Sequence, residues 1–187
     1  MSEYAAHQKI ALITGANKGI GRAAAERLAA LGATVVIGTR DPRRGENADA
    51  ALRADGGDAH AVVLDVTERA TARTAAQQIR ERFGHLDVLI DNAGLTAPDR
   101  SLPKTPTSGD RRSSGSMALV TTITPRTLVS PPNHVQVDDP GYVDTEINNH
   151  SGYLTVAQGA AVLVRLAKLG VDGPTGGFFG EDGSVPW

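Results

Sequence analysis

Three glycines, Gly15, Gly19 and Gly21, stand in the run Thr14-Gly15-Ala16-Asn17-Lys18-Gly19-Ile20-Gly21, with a lysine between the first two. The run follows a short apolar segment, Ile10-Ala11-Leu12-Ile13, and opens an amphipathic one. Glycine at the first position lets a strand turn sharply. Glycine at the other two lets a diphosphate approach the backbone and a helix lie close to the strand. The uncapped N–H groups and the positive end of the helix dipole then face the phosphates. The chemistry these residues suit is therefore binding of a dinucleotide through its pyrophosphate.

The end of the next strand decides which dinucleotide. An acidic residue there accepts hydrogen bonds from a ribose 2′-hydroxyl. This chain has Thr39-Arg40 instead, and the planar guanidinium of Arg40 suits a 2′-phosphate. Lys18 adds a second cation nearby. Asp41 comes one residue later and fits better as the cap of the following helix. NADP(H) is thus favoured over NAD(H).

The elements that must position these residues follow from periodicity. Strands are expected at Ile10 to Ile13, Thr34 to Gly38, Ala59 to Leu64 and Leu86 to Ile90. Between them lie helices. The first has the inner face Ile20, Ala24, Leu28 and Leu31 and ends at Gly32. The second starts at Asp41-Pro42. The third is capped by Thr67, has the inner face Ala72, Ala75, Ala76, Ile79 and Phe83, and is closed by Gly84. The alternation predicts a doubly wound parallel sheet. It breaks from Thr96 to His134, which holds six of the ten prolines and shows no helical period. Met117 to Ile123 is the candidate strand there. Order resumes at Val135-Gln136-Val137. Thr155-Val156-Ala157-Gln158 has the form of a capping box. It leads a helix with Val156, Ala160, Leu163 and Ala167 on one face, ending at Gly170. Phe178 and Phe179 predict a short last strand.

Bulk properties fit this plan. The chain has 187 residues, 40% apolar content, 21% charged residues and a formal charge of −2, values suited to a single domain with no electrostatic bias toward nucleic acid or an anionic membrane. It has no cysteine, which excludes disulfides, thiolate metal sites and a cysteine nucleophile. The five histidines are scattered, and no metal site is expected. The start is too polar for a signal peptide, no apolar run reaches membrane-spanning length, and a cytoplasmic location is expected.

These residues resemble the short-chain dehydrogenase/reductase family. The glycine run matches the family's motif, with Gly15, Asn17, Lys18, Gly19, Ile20 and Gly21 at its coenzyme-contacting positions. Asp65-Val66 resembles the pair that contacts adenine. Asp91-Asn92-Ala93-Gly94 is similar to the family's Asn-Asn-Ala-Gly, with Asp in first place, so that Asn92, Ala93 and Gly94 would face the coenzyme. Pro140-Gly141-Tyr142-Val143-Asp144-Thr145 resembles the segment that holds the nicotinamide carboxamide, through Val143 and Thr145. The ending, Gly173 to Phe179 and on to Trp187, looks like that of bacterial carbonyl-reductase-like members. The resemblance implies a Rossmann-like doubly wound parallel sheet, here truncated in its second half. It also implies hydride transfer between NADP(H) and a small-molecule carbonyl or alcohol substrate, and a possible homo-oligomer. Residues 1–187 form a single dinucleotide-binding domain in this reading, with 96–134 as an irregular insert.

One departure is large. Family members carry a catalytic Ser and a Tyr-x-x-x-Lys pair. Hydride delivery to a carbonyl leaves an alkoxide that needs a proton donor. A tyrosine serves near neutral pH only when a cation lowers its pKa, and a hydroxyl must steady the oxyanion. Here Tyr4, Tyr142 and Tyr153 and Lys9, Lys18, Lys104 and Lys168 include no pair spaced by four. The catalytic set is therefore unassigned. Ser114, in Ser113-Ser114-Gly115, and Tyr142, beside the nicotinamide segment, are its only candidates. Two other readings follow: a non-catalytic NADP(H)-binding module, or a damaged gene product in which 96–134 is read out of frame. Compared with the family, two helices of one growth direction are missing. One sheet face is thus expected to be poorly covered.

Overall fold

Alternating side chains on four short apolar strands divide the interior into two layers. The computed structural model describes residues 9–94, 118–122, 134–138, 140, 142–169, 176–180 and 183–185. The strands are β1 (Ile10–Thr14), β2 (Thr34–Thr39), β3 (Asp58–Val63) and β4 (Val88–Asp91), followed by β5 (Ala118–Thr122), β6 (His134–Asp138), β7 (Phe178–Gly180) and β8 (Gly183–Val185). The helices are α1 (Gly19–Ala30), α2 (Pro42–Ala54), α3 (Arg69–Phe83) and α4 (Val156–Ala167), with a 3-10 turn at Glu146–Asn148. They make one sheet in the order β3-β2-β1-β4-β5-β6-β7-β8. The fold is a Rossmann-like α/β sheet with flanking helices.

The first four strands pair in parallel, with Leu12 opposite both Val36 and Leu89. The doubly wound parallel pattern holds this far and then changes. β5 runs antiparallel to both β4 and β6, β7 returns parallel to β6, and β8 closes an antiparallel hairpin that the sequence reading lacks. An antiparallel neighbour needs no crossover helix on the sheet face, whereas a parallel one does.

Ala11, Ile13, Val35, Ile37, Ala59, Val88 and Ile90 point to one face, where α1, α2 and α4 cover them. Ile10, Leu12, Val36 and Leu64 point to the other, where Ala75 and Ile79 of α3 meet them. The first layer includes the fully buried Leu163 of α4. Among the described helices, α3 alone serves the second.

Local signals explain most helix ends. Asp41 accepts hydrogen bonds from the N–H groups of Arg43 and Arg44 at 3.0 and 3.3 Å, and Pro42 occupies the first turn. Thr155 and Gln158 form the reciprocal capping box of α4. Gly84 ends α3 in the left-handed conformation, with φ +80°.

Several expectations need correction. Thr67 does not cap α3. Its hydroxyl and N–H both go to the Asp65 carboxylate, and the helix begins two residues later behind Glu68. Leu31 is not part of the inner face of α1: it is the C-cap and is exposed, while Ala25 takes the buried place. Ala72 and Ala76 are exposed; the buried residues of α3 are Ala75 and Ile79, with Phe83 packed half-buried beside them. The last helix ends at Ala167 with Lys168 as C-cap, and Gly170 lies outside the described residues. The candidate strand Met117 to Ile123 is β5, Ala118–Thr122, inside the segment expected to be irregular. The rest of it up to residue 133, Ser114 included, lies outside the described residues.

The layer assignment predicts unequal costs for two leucines. Leu163→Ala should lower stability by about 2–5 kcal/mol through lost burial and a residual cavity. Leu31→Ala should change it by less than about 0.5 kcal/mol. Urea unfolding followed by circular dichroism checks both.

Candidate coenzyme site

β1 ends at Thr14, and the buried Thr14 hydroxyl organises the turn that follows. It accepts hydrogen bonds from the N–H groups of Asn92 and Ala93 at 3.0 and 2.9 Å, while the Thr14 carbonyl accepts from Asn92 Nδ2 at 2.9 Å. The segment after β4 is thereby tied to the end of β1. Gly15 then takes φ +68°, and its N–H reaches back to the carbonyl of Gly38 at 2.8 Å. A Cβ on Gly21 would overlap Asn92 Nδ2 and press on the Gly15 carbonyl, so only glycine lets α1 start this close to the strand ends.

Helix α1 begins without a cap. Lys18 is its N-cap residue but makes no side-chain cap bond, and no acidic side chain sits in the first turn. The first helical N–H groups have no acceptor within the helix. An uncapped N-terminus with glycines around it suits a diphosphate. Ile20 serves this turn from below, because its side chain is buried in the core.

The end of β2 is marked by cations. Arg40 is exposed at the end of β2 and close enough to Asp65 to act on its charge. The Thr67 hydroxyl and N–H, aided by Arg40, hold the Asp65 carboxyl below its ordinary range. Val66 is 51% exposed beside it. Arg44, in the first turn of α2, pairs with Asp41 at 3.4 Å and lies near Glu146. Arg44 carries no role in the sequence reading; the signal was the Arg43-Arg44 pair one turn after Arg40.

The opposite wall is the segment 142–155. The methyl group of Thr145 would lie 3.7 Å from a Cβ on Gly19, which puts Thr145 over the glycine turn. The Glu146 carboxylate takes the Lys18 ammonium at 2.7 Å. Lys18 is therefore committed across the cleft and is not an unpaired cation. The bond and charge of Lys18, helped by Arg44 and His150, hold the Glu146 carboxyl below its ordinary range. Val143 turns its side chain away from the cleft and against Gly159 of α4, and its carbonyl accepts from Asn148 Nδ2 at 2.8 Å. Only its backbone is left to face a ligand.

The segment closes on itself. Val143 bridges to Leu154, and the Asp144 N–H donates to the Leu154 carbonyl at 2.8 Å. Within it the Tyr142 hydroxyl bonds to Ser151 Oγ, and His150 Nδ1 meets Asp144 Oδ1 at 2.6 Å. Asn149 and His150 both have positive φ, at +52° and +58°. The lysines in view are engaged elsewhere or distant: Lys9 donates to the carbonyls of Ala167 and Leu169 at 3.2 Å, and Lys18 is held by Glu146. Among the described residues no ammonium bonds a tyrosine hydroxyl.

Strand order, the glycine turn and the uncapped helix define a Rossmann-type α/β protein. Residues 9–110 match the sequence profile of the short chain dehydrogenase family, and the chain belongs to that family. Over 88 residues it is 46% identical to the 3-oxoacyl-(acyl-carrier-protein) reductase FabG of Haemophilus influenzae, a match covering 47% of this chain and 35% of that protein. It is 39% identical over 95 residues to a 3beta-hydroxysteroid dehydrogenase of Mediterraneibacter gnavus, covering 51% and 34% respectively. L-sorbose reductase from Gluconobacter frateurii, solved with NADPH and L-sorbose, has 32% identity and a TM-score of 0.49 over 51% of this chain and 37% of that one. The match thus spans about a third of the length of these curated relatives. No described helix is long and apolar enough to cross a membrane.

Asp91 separates this chain from the family motif and carries a pH signature. Burial pushes its carboxyl pKa up. The folded chain then holds this proton more tightly than the unfolded chain, so the group's contribution favours folding at low pH and is lost as pH rises through its folded value. Asp91→Asn should accordingly raise stability at pH 7. The gain should shrink as pH falls below the ordinary carboxylate range, about pH 4. Urea midpoints for both proteins at pH 7 and in acid read the difference; an equal gain at both would refute the burial argument.

Proposed function

We propose that residues 1–187 act as one dinucleotide-binding domain that holds NADP(H) at the C-terminal ends of β1, β2 and β4, in the manner of a cytoplasmic oxidoreductase moving hydride between the nicotinamide and a small carbonyl or alcohol substrate. The observation that carries the binding step is the uncapped start of α1, held against Asn92 by Gly21 and by the Thr14 tie. The N–H groups of Gly19, Ile20 and Gly21 take the diphosphate, with Gly15 and Asn17 shaping the turn. Arg40 takes the 2′-phosphate, with Arg44 beside it, which favours NADP(H) over NAD(H). Asp65 and Val66 border the adenine. Asn92, Ala93 and Gly94 form the floor, and Thr145 with the backbone of Val143 borders the nicotinamide. The coenzyme supplies the hydride. The protein orients it and neutralises its phosphates.

The names of the matched relatives, a 3-oxoacyl reductase and a hydroxysteroid dehydrogenase, support carbon–oxygen redox chemistry as the class. They differ from each other in substrate, so none transfers. A second reading is supported by one observation. Tyr142 bonds to Ser151 rather than to an ammonium. This favours a coenzyme-binding module without efficient turnover.

Fluorescence titration tests binding, and NADPH oxidation with a panel of aldehydes and ketones tests turnover. NADPH should bind at least about tenfold tighter than NADH, and Arg40→Ala should erase most of that difference, as expected for a charged hydrogen bond worth about 1.5–3 kcal/mol. Equal affinity for the two coenzymes would reject the assignment of Arg40. Glu146→Gln should tighten NADPH binding several-fold by releasing Lys18 and removing a negative charge from the cleft. Binding unchanged or weakened would mean that Lys18 does not reach the phosphates.

A further inference from the structure

The sheet face served by α3 carries a groove that runs away from the coenzyme cleft and meets it at one end, where Thr14, Val66 and Asp91 line it. Its floor is Leu12 and Leu89, its wall is Ala72, Ala76 and Ile79 of α3, and its volume is about 500 Å³. That size falls within the range of small-molecule pockets, roughly 300–1,000 Å³. Ala75, Ile79 and Phe83 of α3 pack toward the sheet. The two alanines beside them leave space over the floor instead of filling it.

The groove is polar only at its ends. Thr14 and Asp91 stand where β1 and β4 finish. Arg80, His85 and Leu86 stand where β4 begins. From Leu86 to Asp91 the chain advances five residues, about 17 Å at the strand rise, enough for an extended chain of about a dozen carbons. The two ends are chemically unlike. At the far end the Thr14 hydroxyl is turned away to Asn92 and Ala93, and burial drives the Asp91 carboxyl toward its neutral form. At the near end His85 is held by Asp87 at 3.3 Å and by the Phe83 carbonyl. The Asp87 carboxylate also accepts from the Ile10 N–H. No described acidic side chain pairs with Arg80, so its guanidinium is the cation this end presents.

We propose that this groove binds an unbranched alkyl carboxylate of about twelve carbons, its carboxylate on Arg80 and its tail along Leu12 and Leu89 toward Asp91. The fixed charge selects an anion, and the apolar floor and alanine wall accept methylene groups without polar demand. A bulkier or branched ligand would meet the wall of α3.

Dodecanoate, kept below its micellar concentration, is titrated into the full chain by calorimetry, with dodecanol and acetate as companions. Dodecanoate should bind saturably at one per chain, dodecanol at least tenfold more weakly, and acetate not measurably. Arg80→Gln should weaken dodecanoate about tenfold and leave dodecanol unchanged. Ala76→Phe, at an exposed position, should block both while leaving the circular dichroism spectrum and the NADPH titration as they were. Equal affinity for dodecanoate and dodecanol, or insensitivity to Ala76→Phe, would overturn the proposal. So would an absence of binding by a folded chain. Sedimentation that shows a concentration-dependent dimer, broken by Ala76→Phe and indifferent to dodecanoate, would show that a second copy covers the face and would equally overturn it.

Discussion

The tie between Thr14 and the segment after β4 is the contact on which the site depends. One buried hydroxyl accepts from two successive backbone N–H groups, and the adjacent carbonyl takes the amide of Asn92. Those groups lie where the ladder between β1 and β4 has ended, so strand pairing no longer satisfies them. Without the hydroxyl the Ala93 N–H would need water or another partner, while the Asn92 N–H also reaches the Ile90 carbonyl at 3.1 Å. With it, Asn92 is fixed where Gly21 must pass. The start of α1 is then held close to the strand ends by the missing Cβ of Gly21 while Ile20, Ala24 and Leu28 pack its inner face, and the helix start is left uncapped in front of the strand ends.

The two faces of the sheet illustrate the consequence of parallel pairing. Strands β1 to β4 are apolar toward both sides, because crossover helices normally cover both. Here α1, α2 and α4 pack one side into a continuous core. The other receives α3, whose Ala75, Ile79 and Phe83 meet a far smaller set. The antiparallel direction of β5 and β6 extends the sheet without adding a described helix to that side. The cavity beside α3 is the geometric remainder of this imbalance.

Charge is distributed so that the cleft is bridged as well as lined. Lys18 on the glycine turn and Glu146 on the facing segment meet at 2.7 Å, both partly exposed to solvent. Exposed pairs of this kind contribute little to stability, about 0–1 kcal/mol. Their interest lies in position: a phosphate arriving at the turn would compete with Glu146 for the same ammonium. Arg40 and Arg44 lie beyond this bridge, one at the end of β2 and one in the first turn of α2.

Much of the first half was legible in the sequence because local physics decides it. Glycines at three spacings, an Asp-Pro start, a Thr-x-x-Gln box and β-branched strands each act over a few residues, and the strands, helices and family follow from them. Thr67 misled because a hydroxyl before a helix suits either a cap or an Asx turn, and Asp65 two residues earlier drew it into the turn. Ala72 and Ala76 misled because alanine fits a buried or an exposed helix face equally well. The commitment of Lys18 to Glu146, 128 residues away, the direction of β5 and β8, and the pocket beside α3 came only from tertiary structure. They depend on which distant segments meet, and no local propensity encodes that meeting.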